Sequence, residues 1–350
     1  MLKNEMSILD HICKWRTELM GIAIVWVAMF HSFLVWPEPW AILKNTGYAG
    51  VDIFLLLSGV GMYHSLSKCN DIGNFYKKRA MRILPSYLPF ILLWFVWRAK
   101  SELMNPIDIL KMVFGNLFMT GYFKDVHLQF NWYVQIICWL YLLSPVLYQL
   151  IIRCKNSFQK VGIVLIGFGM GIPYLYDIDH LMGVSRIPIF LIGMIWAHEN
   201  HTRKAEEVAP AKKSLLRIGV IVLSLVGIML FLWYYKRDVN MLWLYGLWWY
   251  PFILITPGLC YVLSMIMDFF AKFKVLKFLL VPFKYIGLAS FEIYLVHIDI
   301  FKWIMNVGTG VTNLHWWGII ASVCVLGILY HYCIMGITKG SKYLKAKILK

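Results

Sequence analysis

Three ionisable side chains lie inside long apolar stretches, where a charge is costly unless it is paired or faces water. His31 ends the run ELMGIAIVWVAMFH, Asp52 lies in GVDIFLLLSG, and His297 ends IGLASFEIYLVH. If these runs are membrane helices, a rise of about 1.5 Å per residue puts all three residues in the outer half of the bilayer. Two imidazoles and a carboxylate at one depth suit general acid–base catalysis, although structural hydrogen bonds between helices would use the same residue types.

A basic cluster, NFYKKRAMRILPSY, contains two arginines that could recognise phosphate. Arg79 and Arg82 are three residues apart, so a helix would place them on one face. Neighbouring guanidinium groups bind phosphate through charge-assisted, bidentate hydrogen bonds. The same charges also fit a cytoplasmic membrane surface or contact with lipid headgroups, and the pattern by itself leaves both interpretations open.

The elements that must hold these side chains are predicted to be membrane helices. The 350 residues are 60% hydrophobic and 15% charged, whereas soluble domains are about 25% charged. The apolar residues fall in runs of about 15–25 residues, the length that crosses about 30 Å of hydrocarbon. We therefore predict an all-α, polytopic helical bundle with about ten transmembrane helices, over residues 19–36, 47–66, 84–98, 131–152, 161–176, 184–198, 215–234, 241–267, 284–304 and 315–338.

The basic residues predict how the chain is oriented in the membrane. With ten crossings and both termini in the cytoplasm, most of the 34 Lys and Arg residues fall on the cytoplasmic side, as the positive-inside rule requires. The formal charge of +16 therefore indicates membrane orientation and no nucleic-acid partner. The predicted organisation is a cytoplasmic segment 1–18, a transmembrane domain 19–338 and a basic cytoplasmic tail 339–350, in the cell membrane.

One apolar stretch, residues 106–123, fits the pattern poorly because it carries Asp108, Lys111 and Gly115. We predict that it is interfacial or re-entrant. An eleventh crossing at this point is the alternative, and it would reverse the orientation of everything that follows. The seven cysteines are scattered without a CxxC pair, so we predict no metal site.

These segments together resemble the acyltransferase-3 family of integral membrane acyltransferases. The resemblance rests on the first helix ELMGIAIVWVAMFHS and on GVDIFLLLSG followed by NFYKKRAMRILPSYL. It continues, in the order of the family, with NWYVQIICWLYLLSPVL, RIPIFLIGMIWA and IGLASFEIYLVH. It implies an O-acyltransferase that takes an acyl group, usually acetyl, from cytoplasmic acetyl-CoA and passes it to a hydroxyl group of an extracytoplasmic glycan or lipid-linked sugar.

The resemblance also implies roles for residues at the ends of the donor path. His31 is the expected catalytic histidine, and Asp52 is a candidate to orient its imidazole, as the acid does in a triad. Arg79 and Arg82 are the expected acyl-CoA-binding pair. The family commonly has a further arginine eleven residues before the histidine, where this sequence has Met20, and Arg16, one helical turn earlier, is predicted to replace it.

The acceptor is expected to meet a second set of side chains. The resemblance implies Arg186 in the block RIPIF, together with Glu292, Tyr294 and His297 in the closing block. Trp132, at the entry to the fourth predicted helix, is a further candidate because external loops would select the sugar.

Two other classes of protein remain open from the residues alone. A multispan transporter or flippase for sugar-lipids or small solutes uses intramembrane polar residues without making bonds. Such a protein has no need of the pair Arg79 and Arg82 at a donor entrance. A membrane sensor or scaffold is a third interpretation, but the sequence shows no attached signalling module.

Overall fold

A computed structural model describes residues 6–69, 71–124, 130–205, 210–235, 237, 239–308 and 310–348. Throughout these residues the regular structure is helical and no strand occurs, which confirms the all-α prediction. Lys3 of the predicted cytoplasmic segment and Lys350 of the predicted basic tail lie outside the described residues.

The helices are numbered here in chain order. They are α1 Ile8–Lys14, α2 Arg16–His31, α3 Ala41–Asn45, α4 Gly50–Leu66, α5 Ile72–Ser101, α6 Pro106–Leu117, α7 Gly121–Lys124, α8 Trp132–Arg153, α9 Ser157–Gly169, α10 Ile178–Val184, α11 Ile187–Ala205, α12 Pro210–Tyr235, α13 Val239–Leu244, α14 Tyr250–Phe270, α15 Lys274–Phe278, α16 Val281–Leu288, α17 Ser290–Val307 and α18 Asn313–Ile348. Two short 3₁₀ helices cover Gly47–Ala49 and Ile172–Tyr174.

Short polar side chains determine where several helices begin. Asp71 accepts hydrogen bonds from the backbone N–H groups of Gly73 and Asn74 at 2.9 and 3.1 Å, and α5 starts there. Asn105, followed by proline, caps α6 in the same way, and Asn131 caps α8. These side chains satisfy backbone donors that the first turn of a helix leaves without a partner.

Seven of the described helical segments are long and apolar enough to cross a membrane: Gly47–Leu66, Ile72–Ser101, Trp132–Arg153, Ile178–Thr202, Leu215–Tyr235, Tyr250–Phe270 and Asn313–Gly340. A pair of segments bent by 77°, Lys274–Leu288 and Ser290–Val307, raises the number to eight if the pair counts as one crossing. The chain is thus a multi-pass membrane protein. The predicted count of ten and the cytoplasmic termini are not confirmed, because α2 has 16 residues and α9 has only 13.

The stretch that was predicted to be interfacial or re-entrant contains a short helix. Helix α6 has 12 residues, about 18 Å, which is too short to cross about 30 Å of hydrocarbon. The stretch 106–123 is absent from the membrane-length helices found in the described part of the chain.

Two of the helices differ sharply in what surrounds them. The membrane-length part of α4 is mostly buried inside the protein, whereas that of α12 is mostly exposed. Met229 and Trp233, for example, are exposed on α12 although both are large and apolar. In water a row of such side chains would be unfavourable, but lipid is as apolar as the side chains themselves.

The chain folds into two compact units, each made of several chain segments. The first comprises Met1–Lys14, Phe54–Arg79 and Ile91–Leu263, and the second comprises Trp15–Ile53, Ala80–Phe90 and Ser264–Lys350. In the first unit, α4 packs closely against α11. A Cβ at Gly59 or Gly193 would collide with a backbone carbonyl oxygen of the other helix.

Within the first unit, the segment around α6 and α7 is fixed to α8 by hydrogen bonds. The backbone N–H of Tyr122 donates to Gln135 Oε1 at 2.8 Å, and Trp139 Nε1 donates to the carbonyl oxygen of Met119 at 2.7 Å. The hydroxyl of Tyr122 donates to the carbonyl oxygen of His180 and accepts from the N–H of Gly183. Burial raises the pKa of Tyr122, so the phenol stays protonated and can donate.

The second unit is built around α2, which packs against α16 and α17, while α17 packs against α18. Glycines allow the closest of these approaches. A Cβ at Gly21 would collide with the carbonyl oxygen of Phe283, and a Cβ at Gly287 would collide with that of Thr17. The backbones of α2 and α16 therefore touch, which sets the position of the helix that carries His31.

Candidate functional site

Two histidines that are far apart in the sequence meet in the second unit. His31 is the last residue of α2, and His297 lies near the middle of α17. Their ring centroids are 5.3 Å apart, with the planes tilted by 54°. His297 is fully buried, whereas His31 is partly exposed. The structure thus brings together the two imidazoles that the sequence suggested for acid–base chemistry.

The hydrogen bonds of His297 define which of its nitrogens carries a proton. Nδ1 lies 2.9 Å from the carbonyl oxygen of Tyr294 and 3.2 Å from that of Ile293. A carbonyl oxygen can only accept, so Nδ1 must donate, and in a neutral ring Nε2 then carries a lone pair. Nε2 is buried and has no hydrogen-bond partner among the described residues. His297 therefore presents a fixed acceptor inside the protein.

Asp52 is in the same unit, in the first turn of α4, and its side chain is fully buried. The start of this helix is held against α2 because Gly50 faces the carbonyl oxygen of Ala23 and the side chain of Val27. The ring of Phe30, the residue before His31, packs edge-on against Tyr48 at 5.4 Å. The expected role of Asp52 in orienting His31 stays a prediction.

Glu292 and Tyr294 lie on α17 with His297, and Glu292 is engaged in an internal network. Its Oε1 accepts a hydrogen bond from Ser86 Oγ at 2.6 Å and lies 3.1 Å from His331 Nδ1. Tyr330 donates to the backbone carbonyl oxygen of Ser86 at 2.6 Å. These contacts join α17 to α18 and to residues 80–90 of α5.

Tyr294 is nearly fully buried, and its ring centroid lies 5.4 Å from that of His297. Phe301 also contacts the His297 ring edge-to-face, with centroids 6.0 Å apart. The imidazole of His297 is thus confined by aromatic rings as well as by its hydrogen bonds.

Arg186 and Trp132, both predicted to bind the acceptor, meet in the first unit. The guanidinium carbon of Arg186 lies 5.6 Å from the ring of Trp132 and 5.8 Å from the ring of Trp249. Its Nε donates to the carbonyl oxygen of Met182 at 3.1 Å. Arg186 is 1% exposed, so its charge is stabilised by the faces of two indoles in place of water.

The three arginines predicted to bind the donor occupy different surroundings. Arg79 is partly buried in the first unit, where it donates to Ser65 Oγ at 3.3 Å and lies over the ring of Phe75. Arg82, one turn later on α5, is exposed and belongs to the second unit. Arg16 is partly buried at the first position of α2, fifteen residues before His31, which is about 22 Å along the helix.

Several residues of these clusters were missed by the sequence-based reasoning. Ser86 and Tyr330 gave no signal because a hydroxyl in an apolar helix is common and says nothing about its partner. His331 is an ionisable residue near the end of a predicted helix, and its position gives no hint that Glu292 is its partner. Trp249 lies in the run LWWYPF, and its aromatic density was the available hint of a partner for a buried cation. Within the described residues, no group of three or more His, Cys, Asp or Glu residues could hold a metal ion.

Comparison with known proteins agrees with the resemblance seen in the sequence. The family model for the acyltransferase-3 domain, described as an acyltransferase domain, matches residues 19–333, nearly the whole chain. The chain therefore belongs to the acyltransferase-3 family and, with its membrane-length helices, is a membrane acyltransferase. No curated protein and no solved structure matches it.

Proposed function

We propose that this protein is an O-acyltransferase of the cell membrane. It takes an acyl group, acetyl foremost, from acyl-CoA on the cytoplasmic side and transfers it to a hydroxyl group of an extracytoplasmic glycan or lipid-linked sugar. The observation that carries this proposal is the pairing of His31 with the buried His297 inside a family-matched acyltransferase domain.

The chemistry assigned to His31 is general base catalysis. Its imidazole takes the proton of the acceptor hydroxyl, the oxygen bonds to the acyl carbon, and the carbon–sulfur bond of the thioester breaks. The leaving CoA thiolate then takes that proton from His31, so the enzyme returns to its starting state. The partial exposure of His31 suits a group that must meet a substrate. Asp52 is proposed to support the charged imidazole.

The donor is proposed to enter from the cytoplasmic end of α2. Arg79 and Arg82 would bind phosphate groups of CoA. Arg16 would take the role of the arginine that the family commonly has at the position of Met20. The distance of about 22 Å along α2 from Arg16 to His31 suits a ligand that is long and thin, such as the pantetheine arm of acyl-CoA. For the acceptor, Trp132 and Arg186 of the first unit are proposed to bind the sugar. Glu292 and Tyr294 of the second unit are proposed separately as sugar-binding residues.

The test is an assay of the purified protein with acetyl-labelled acetyl-CoA and candidate glycans, in which free thiol and labelled glycan are measured together. Wild type should release thiol in step with glycan acetylation. His31→Ala should lower transfer at least about 100-fold and leave membrane insertion unchanged. Normal transfer in that variant would contradict the mechanism. If the protein instead moved a sugar-lipid across the membrane of vesicles without releasing thiol, it would be a transporter or flippase.

The donor arginines have their own test in the same assay. Arg79→Ala and Arg82→Ala should each raise the KM for acetyl-CoA about 10-fold, since a hydrogen bond to a charged group contributes about 1.5–3 kcal/mol. Lys78→Ala is the matched control because Lys78 is an exposed cation on the same helix. A KM that rises equally in all three variants would indicate general surface charge in place of a phosphate site.

A further inference from the structure

We propose that His297 positions the ring of His31 and shares its charge during acyl transfer. It would do so through a hydrogen bond from the N–H of His31 to its own Nε2. This inference rests on the proposed function and assigns to His297 a role different from sugar binding. His297 is then a positioning residue, whereas His31 touches the substrate.

His297 can offer a neighbouring group only a hydrogen-bond acceptor, its Nε2. Backbone carbonyl oxygens of Ile293 and Tyr294 accept from Nδ1 at 3.2 and 2.9 Å. This fixes the tautomer and leaves a lone pair on Nε2, as the orienting hydrogen bond does for other functional histidines. His297 is fully buried, and Nε2 has no hydrogen-bond partner among the residues that the structure describes. A buried acceptor without a partner costs free energy unless a donor reaches it.

His31 brings a hydrogen-bond donor beside His297, because the two ring centroids are 5.3 Å apart. The other rings that contact His297 belong to Phe301, which has no polar group, and to Tyr294, whose hydroxyl is a second donor on the same helix as His297. His31 is the donor that comes from a different helix and ends at the partly exposed side of the pair. A rotation of the His31 ring at the end of α2 would turn an N–H toward Nε2. Catalytic hydrogen bonds are often long in the absence of substrate and tighten only in the complex.

This hydrogen bond would select the tautomer of His31 and stabilise its charged form during the reaction. A histidine base works through one nitrogen only if the other nitrogen carries the proton, and a group that accepts from that N–H selects the tautomer. As His31 takes the proton of the acceptor hydroxyl, its ring becomes cationic, and the lone pair of His297 stabilises that charge. His297 neither gains nor loses a proton overall, because the proton returns through His31 to the CoA thiolate.

Two substitutions separate the roles of the two nitrogens of His297. The amide nitrogen of His297→Asn can still donate to the backbone carbonyls but offers nothing at the position of Nε2. The longer His297→Gln can place its amide oxygen near that position and accept from His31. We expect His297→Asn to lower kcat at least about 100-fold with unchanged KM values, and His297→Gln to stay within about 10-fold of wild type.

His315→Asn and His315→Gln, at an exposed position, should behave as wild type, and thermal unfolding in detergent shows whether each variant is folded. Two results would overturn the inference: a fully active His297→Asn, because Nε2 would then be dispensable, or a raised acceptor KM with normal kcat, because His297 would then bind sugar. If wild type transfers no acyl group at all, the proposed function itself fails. If wild type is active and His31→Ala is not, only the role of His297 is in question.

Discussion

At the scale of single residues, the second unit contains a carboxylate with two polar partners. Glu292 accepts a hydrogen bond from Ser86 and lies at ion-pair distance from His331. The side chain of Glu292 is 6% exposed and that of His331 is 19% exposed. Such a buried network stabilises the fold mainly because it leaves no buried polar group without a hydrogen bond. Removing one partner leaves the other unsatisfied. The internal contacts of Glu292 favour a structural task, and sugar binding by this residue stays a prediction.

This network predicts energetic coupling between Ser86 and Glu292. Ser86→Ala should lower the free energy of unfolding by about 1–2 kcal/mol, and it should keep the bond from Tyr330, which goes to the backbone carbonyl. In a double-mutant cycle with Glu292→Leu, which removes the acceptor oxygen, the two substitutions should couple by about 1 kcal/mol. Thermal or denaturant unfolding in detergent measures each corner of the cycle.

The control for that cycle is Ser322→Ala. Ser322 donates its hydroxyl only to the carbonyl of its own helix, at an exposed position. Its effect should add to that of Glu292→Leu without coupling. Strict additivity of Ser86→Ala with Glu292→Leu would show that the hydrogen bond contributes nothing.

A second prediction at this scale concerns the buried cation of the first unit. Arg186→Lys keeps the charge but loses the planar guanidinium that lies over Trp132 and Trp249. We expect a loss of about 1–2 kcal/mol in unfolding free energy, because an ammonium is more strongly hydrated and has no flat face. Arg237→Lys is the matched control, since Arg237 lies over the single ring of Trp233 at an exposed position. Equal effects of the two substitutions would contradict this account.

At the scale of helices, the contact of α2 with α16 decides where His31 lies. Thr17 and Gly287 meet with no room for a Cβ, as do Gly21 and Phe283. In a membrane, small residues allow this approach, and van der Waals packing then holds the helices together. Because α2 also carries the proposed base at its far end, a shift of this crossing would move His31 relative to His297.

Gly287→Ala is therefore expected to act on both stability and catalysis. Overpacking at a backbone contact costs about 1–3 kcal/mol, and transfer should fall with it as the two histidine rings separate. Gly318→Ala is the control because Gly318 lies on α18 in the same unit, and no neighbouring group among the described residues comes within 4 Å of the place a Cβ would take. Unfolding temperature and kcat of both variants are the measurements. A Gly287→Ala protein that is as stable and active as Gly318→Ala would show that α2 and α16 can move apart without loss of stability or activity.

At the scale of the whole molecule, the number of crossings decides which side each terminus faces. Among the described residues, the seven membrane-length segments and the bent pair make eight crossings if the pair counts as one, and α2 and α9 would bring the number to the predicted ten. At 16 and 13 residues, these two helices span about 24 and 20 Å. Each needs adjoining non-helical residues or a locally thin bilayer to cross.

Labelling with a membrane-impermeant thiol reagent tests this topology. In a protein without its native cysteines, single cysteines at Lys68→Cys and Lys339→Cys should be protected in intact cells. Single cysteines at Lys44→Cys and Leu314→Cys should be labelled. Labelling of Lys339→Cys but not Lys68→Cys would mean an odd number of crossings between them, and the predicted cytoplasmic tail would then be wrong.

Much of this architecture was accessible from the sequence. Apolar runs near 20 residues and a low charge content allow only a membrane helix bundle, because backbone groups in lipid must be satisfied within each segment. The same runs predicted the bounds of α8 and α4 to within a few residues. Bent or short elements were harder to predict, since the hydropathy of 284–304 does not reveal the 77° break at Ala289.

The pairing of His31 with His297 illustrates what the sequence by itself could and could not determine. Their residue types, their apolar surroundings and the family motifs are local properties, so the sequence determined that both are unusual and that acyl transfer is the reaction to expect. Their contact was decided by tertiary structure. It depends on where α2 crosses α16 and α17. Helix crossings arise from packing between distant segments, which no local pattern encodes.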